Sequence, residues 1–96
     1  MHSVVYDFFE ELIPVRIDIK SRIDGEFLTT CSSSLNIFHL NGVAKDFFLL
    51  CDGSNSVERI CTALSKEYDV ENFVLQNDIT PLIRDFQWKN LILLKE

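Results

Sequence analysis

Residues 40–60 read LNGVAKDFFLLCDGSNSVERI, and within them the spacing of apolar side chains changes from that of a strand to that of a helix. From Asn41 onward, Ala44, Phe47, Phe48 and Cys51 fall at i, i+3, i+4 and i+7, one face of a helix. Asn41 is a good N-cap, and Gly53 can take the left-handed backbone that ends a helix, so a first helix is expected from Gly42 to about Cys51. Ser56 then caps a second helix running to about Glu67. Its apolar stripe is Val57, Ile60, Cys61, Leu64 and Tyr68, while Glu58, Arg59, Lys66 and Glu67 face water.

Downstream, DVENF marks a short connection. A third helix, from about Asn72 to Lys89, carries Leu75, Ile79, Leu82 and Phe86 on one face. Pro81 lies inside it and should bend or divide it, with Thr80 capping the second piece, because proline lacks the N–H and crowds the preceding turn. Asn90 is a left-handed helix stop, and LILLKE is expected as a short extended tail against the sheet. Trp88, the only tryptophan, falls outside the stripe. It is expected either to cover the helix end and tail in part or to serve as a contact for a partner protein.

Upstream, Val15, Ile17 and Ile19 alternate with Arg16, Asp18 and Lys20, the period of two that a half-buried strand requires. Asp24-Gly25 is a favoured hairpin turn, after which EFLTTC forms the second strand. CSSS reads as a turn, and Leu35–Leu40 as a third strand with Asn36, Phe38 and Leu40 on one face and Leu35, Ile37 and His39 on the other. Apolar groups on both faces suggest that its outer face or free edge meets something. Residues 1–13 form an arm or weak amphipathic helix, which either caps the domain's own core or offers a docking surface; residues 14–96 form the domain. The expected class is α+β, winged helix-turn-helix-like: a three-stranded antiparallel sheet followed by three helices.

Ninety-six residues make one small domain with little room for a substrate pocket, and 47% hydrophobic residues with eight Phe are enough to fold without staples. Residues 1–12 hold three acids and no Lys or Arg, unlike a signal peptide, and no apolar run is long enough to span a membrane, so the expectation is cytoplasmic. Cys31, Cys51 and Cys61 lack CxxC spacing and are read as reduced, buried thiols, with no metal site. The net charge of -6 is the wrong sign for neutralising phosphates, so nucleic acid is disfavoured. No nucleophile and base set, phosphate loop or metal spacing is present, and His2 and His39 are read as surface or packing residues. With no catalytic residues and no cofactor implied, the chain reads as a binding module.

Residues 40–94 resemble the PqqD-like family, the peptide chaperones also called RiPP recognition elements. The resemblance rests on Leu40-Asn41 at a strand end, Cys51-Asp52-Gly53 closing a short helix, the Ser56-Val57 cap, the Tyr68-Asp69-Val70 junction, and Asn90-Leu91-Ile92 after a long last helix. Asn90 stands where a glycine is usual, Pro81 interrupts the last helix, and the first twelve residues are outside the shared core. The resemblance implies that a precursor's leader peptide adds as an antiparallel strand to the third strand, in a groove lined by the third helix, and is presented to a modifying enzyme, often a radical SAM protein. On that basis the peptide-binding residues would be Leu35, Asn36, Ile37, Phe38, His39 and Leu40 of the strand, with Phe73, Gln76, Asn77, Thr80 and Arg84 of the helix. Arg84 would pair with an acidic leader side chain. Two other readings are a winged-helix DNA-binding regulator, disfavoured by a last helix with more acids than bases, and an interaction module of another pathway. An exposed strand edge also permits homodimers.

Overall fold

The computed structural model describes residues 8–96. Among them follow β1 (Ile13–Arg16), β2 (Lys20–Asp24), β3 (Phe27–Cys31), β4 (Ile37–Leu40), α1 (Gly42–Leu49), α2 (Val57–Tyr68), α3 (Asn72–Trp88) and β5 (Ile92–Lys95). The strands make two antiparallel sheets, β1-β5 and β2-β3-β4. The α+β class and the three-stranded sheet are present, but five strands in two sheets replace the single sheet read from the sequence.

The difference lies in residues 15–20, where the alternating pattern suggests one strand and the chain makes two. Ile17 N–H donates to the Leu91 carbonyl, and Ile19 N–H donates to that of Cys31 at the same 2.9 Å, so the chain leaves one sheet and joins the other within three residues. Asp18 anchors this crossing. Its carboxylate receives Arg16 Nε at 3.1 Å, Arg16 Nη2 at 2.9 Å and the Thr30 hydroxyl at 2.7 Å, and Arg16 Nη2 also reaches Ser21 Oγ at 2.7 Å. The Asp18 side chain is only 5% exposed. Burial pushes its carboxyl up, but the Arg16 and Thr30 hydrogen bonds and the Arg16 charge outweigh that and hold it below the usual carboxylate range.

The C-terminal LILLKE is more than a tail. Ile92–Lys95 pairs with β1 in the register Ile13↔Lys95 to Arg16↔Ile92. The far side of β1 takes up the corner that follows α1, through Arg16 N–H to Cys51 O at 3.0 Å, a Val15↔Asp52 bridge and Gly53 N–H to Pro14 O at 3.2 Å. That use of backbone explains why α1 ends at Leu49 and not at Cys51. Gly53, at φ +85°, turns the chain beyond the helix instead of capping it. Asn41 occupies the N-cap position of α1 without a side-chain hydrogen bond.

The start of α2 is closely satisfied. Val57 N–H donates to Leu12 O and Glu58 N–H to Glu10 O, both at 2.9 Å, and Arg59 N–H donates to Ser56 Oγ at 3.2 Å. Three of the four N–H groups that a helix start leaves unpaired thereby find partners, two of them on the N-terminal arm. The part of the arm before Phe8 lies outside the described residues. Asp69, at φ +54°, ends α2.

α3 runs unbroken through Pro81. Thr80 does not cap a second piece; its hydroxyl donates back to the Gln76 carbonyl at 2.9 Å, one turn earlier. The buried stripe is Leu75, Ile79, Ile83 and Phe86, and Leu82 is only half-buried at its margin. Asn90 ends the segment at φ +58°, as its residue type suggests.

The helices and the inner face of the sheet enclose one core. Phe86 packs against Phe47 at 6.1 Å and edge-on to Phe48 at 5.4 Å, with the Arg16 guanidinium 4.4 Å over the Phe48 ring. Cys51 and Cys61 belong to this core, and burial pushes the Cys51 thiol up to about 12. Cys31 is half-buried on the sheet. No helix among the described residues is long and apolar enough to cross a membrane.

Candidate peptide-docking edge

β3 and β4 pair in the register Leu28↔Leu40, Thr29↔His39, Thr30↔Phe38 and Cys31↔Ile37. Side chains alternate about the sheet, so Phe38 and Leu40 share the inner face with buried Leu28 and Thr30, and Ile37 and His39 share the outer face. Leu40 is buried, Phe38 is half-buried against the core, and Ile37 is 64% exposed. His39 is held on the outer face by a 3.0 Å hydrogen bond between its Nδ1 and Thr29 Oγ1.

The expected third strand is two residues too long. Leu35 N–H closes a turn onto Ser32 O at 2.9 Å, and Leu35 sits at φ +66°, left-handed and 72% exposed. A leucine there costs about 1–2 kcal/mol relative to ordinary backbone. Leu35 and Asn36 therefore belong to the hairpin loop, and the ladder begins at Ile37. The turn of CSSS extends to Leu35 because the chain must reverse and still bring Ser32 opposite Asn36.

That reversal also orients the edge. Ser32 N–H donates to Asn36 O at 2.9 Å, a hydrogen-bonded pair in register with β3-β4. In an antiparallel ladder such pairs alternate, so the next are Thr30↔Phe38 and Leu28↔Leu40. The backbone N–H and C=O groups of Ile37 and His39 consequently point away from β3, to the open side of the sheet. Among the described residues no strand pairs with that side, since β4 ends the order β2-β3-β4.

α3 approaches β4 through Lys89, whose Nζ lies 4.9 Å from the Phe38 ring centroid and 2.8 Å from Asp85 Oδ2. At 3.6 residues per turn Lys89 shares a helix flank with Asp85, Leu82 and Asp78. The residues expected to line the groove, Phe73, Gln76, Asn77, Thr80 and Arg84, follow another line, and the buried stripe separates the two. Thr80 is buried, Gln76 is half-buried with Oε1 lacking a hydrogen-bond partner, and Phe73, Asn77 and Arg84 are exposed. The contact seen at β4 is thus made by a lysine absent from the expected set. Its signal was in the sequence: Lys89 stands at i+4 from Asp85 and i+7 from the marginal apolar Leu82. Trp88 covers little, being 85% exposed.

No group of three or more potential metal-ligating side chains occurs among the described residues. A shallow hollow lies on the outer face, lined by Lys20, Arg22, Thr29, Cys31 and Ile37 and continuous with β4.

No curated protein and no solved structure matches the chain. A family model does, the one described as coenzyme PQQ synthesis protein D (PqqD), over residues 31–92, which run from the end of β3 through β4 and all three helices to the start of β5. With nearly two thirds of its length matched, the chain belongs to the PqqD family.

Proposed function

We propose that this chain is a peptide-binding accessory protein. It captures the leader segment of a ribosomally made precursor by strand addition to β4 and presents it to a modifying enzyme, such as a radical SAM protein. It does no chemistry itself. Family membership supports a role in the synthesis of PQQ or a related peptide-derived product. The observation that carries the reading is the open edge of β4, with the backbone of Ile37 and His39 turned outward and an apolar inner face beside α3.

The energetics favour this arrangement only in part. Two residues offer at most four backbone hydrogen bonds, together about 2–6 kcal/mol net. Micromolar affinity needs about 8 kcal/mol, so side chains must supply the rest. Ile37 on the outer face, with Phe38 and the Leu82–Lys89 flank on the inner one, are the surfaces available for it. Alternate positions of the peptide would meet alternate surfaces, which is how strand addition acquires selectivity.

Calorimetry with the leader half of a precursor encoded beside this chain tests the proposal, with backbone amide shifts recorded at Ile37–Leu40. The expected outcome is saturable binding with the largest shifts at Ile37 and His39. Failure of every neighbouring leader to bind, alone or with the modifying enzyme present, overturns it. Measuring mass in solution separates this from pairing of two copies through the same edge.

A further inference from the structure

The cation beside Phe38 is out of keeping with its surroundings. The chain carries a net charge of -6, yet the group that α3 brings to the open edge is a lysine. Asp85 Oδ2 takes one hydrogen bond from the Lys89 ammonium at 2.8 Å, which leaves two of its three donors, and the side chain keeps 30% exposure. Asp85 thus holds the ammonium in place without using it up.

The alternation of the ladder says what a docked strand would present to it. Phe38 bonds toward β3, so a residue of an added antiparallel strand opposite Phe38 sits in the closer, non-hydrogen-bonded relation, with Cβ atoms about 4.5–5.5 Å apart. Its side chain points inward like that of Phe38 and runs along the ring toward Lys89. An apolar side chain there would leave the ammonium with Asp85 alone, and a basic one would compete with it for Asp85 while offering its remaining donors no acceptor. We infer that Lys89 selects an acidic side chain at the docked-strand position opposite Phe38, which makes it a specificity-determining residue of the edge. This rests on the strand-addition reading above. It replaces Arg84, the sequence-based candidate for the same pairing, which lies on the flank beyond the buried stripe.

The expected discrimination is modest, because a part-exposed pair is worth about a 1.4- to 5-fold difference in affinity and weakens with salt. A displayed library of random twelve-residue peptides, panned against the whole chain as wild type, Lys89→Glu and Ile37→Pro, tests it. Wild type should enrich Asp or Glu at one fixed position of an apolar alternating pattern, Lys89→Glu should move that position to Lys or Arg, and Ile37→Pro should enrich neither. Peptides recovered on wild type should lose about two- to five-fold in affinity when that Glu becomes Gln, and Lys89→Met should abolish the difference. Sequences that depend on Ile37 but show no acidic preference, or one unchanged in Lys89→Glu, overturn the inference and leave strand addition standing. If nothing is enriched, or the enriched sequences bind Ile37→Pro equally well, strand addition fails and the inference with it.

Discussion

β2 and β4 are the two edges of one sheet, each paired among the described residues with β3 alone, and they are built from opposite materials. β2 reads KSRID, is exposed throughout, and carries Lys20, Arg22 and Asp24, with Arg22 and Asp24 in an ion pair at 2.7 Å. β4 reads IFHL, has no residue of fixed charge, and buries Leu40 in the core. Charged side chains, lysine above all, are how a protein keeps an edge from recruiting another strand. By that standard β2 is defended and β4 is open, although both belong to the same three strands. The contrast points to β4 as the edge kept available, and it does so from local chemistry alone.

The comparison can be broken most forcefully at its frame. The Arg16-Asp18-Thr30 network ties the crossing between the sheets to β3, and through Ser21 to β2, so Asp18→Ala should cost about 2–3 kcal/mol by leaving a part-buried guanidinium short of its carboxylate. Chemical denaturation measures the loss, and hydrogen exchange should show β2 deprotected before β4. The same group sets an acid limit. Because its folded pKa is lowered, Asp18 contributes stability that is complete above its unfolded value near pH 4 and is lost as pH falls through the lower folded value. Asp18→Asn should flatten that part of the acid unfolding curve.

Next in size is the edge itself. Ile37→Pro removes an outward N–H while sparing the Thr30↔Phe38 and Leu28↔Leu40 bonds, so peptide affinity should fall about tenfold, with folding stability changed by less than about 1 kcal/mol. Polarisation and thermal melts separate the two effects. Ser21→Pro on β2 should leave peptide affinity unchanged; an equal loss there would erase the distinction between the edges. Removing the defence sharpens the contrast from the other side. Lys20→Val with Arg22→Val should make β2 adhesive and give concentration-dependent self-association by light scattering, an effect of about 1 kcal/mol or less per residue.

The smallest effect belongs to the loop between β3 and β4. Leu35→Gly relieves a left-handed leucine but adds freedom to the unfolded chain, so the net gain should be under about 1 kcal/mol, seen as a rise of a few degrees in Tm. A fall in Tm would mean that the exposed Leu35 side chain packs more than its accessibility indicates.

Much of this was legible in the residues. The three helices follow from apolar spacing, the α2 start from Ser56, and the end of α3 from Asn90. The faces of β4 follow from the alternation of Ile37, Phe38, His39 and Leu40. These are local matters, set by side-chain period and by which residues tolerate a cap or a positive φ. Residues 15–20 show where local reading ends. The alternation read there fails at the crossing, where Ile19 is exposed and the Asp18 side chain is buried, because the approach of Leu91 and Cys31 from distant parts of the chain divided one apparent strand between two sheets.

The candidate site divides the same way. Sequence alone determined a third strand with apolar groups on both faces ahead of three helices, read over Leu35–Leu40 and so two residues longer than β4, because hydrophobic period is a property of neighbouring residues. That β4 lies at an edge, that Ile37 and His39 turn their backbone outward, and that Lys89 rather than Arg84 comes to Phe38 were decided by the tertiary structure. Pairing order, ladder alternation and helix rotation depend on contacts among residues tens of positions apart, which packing selects and no local pattern specifies.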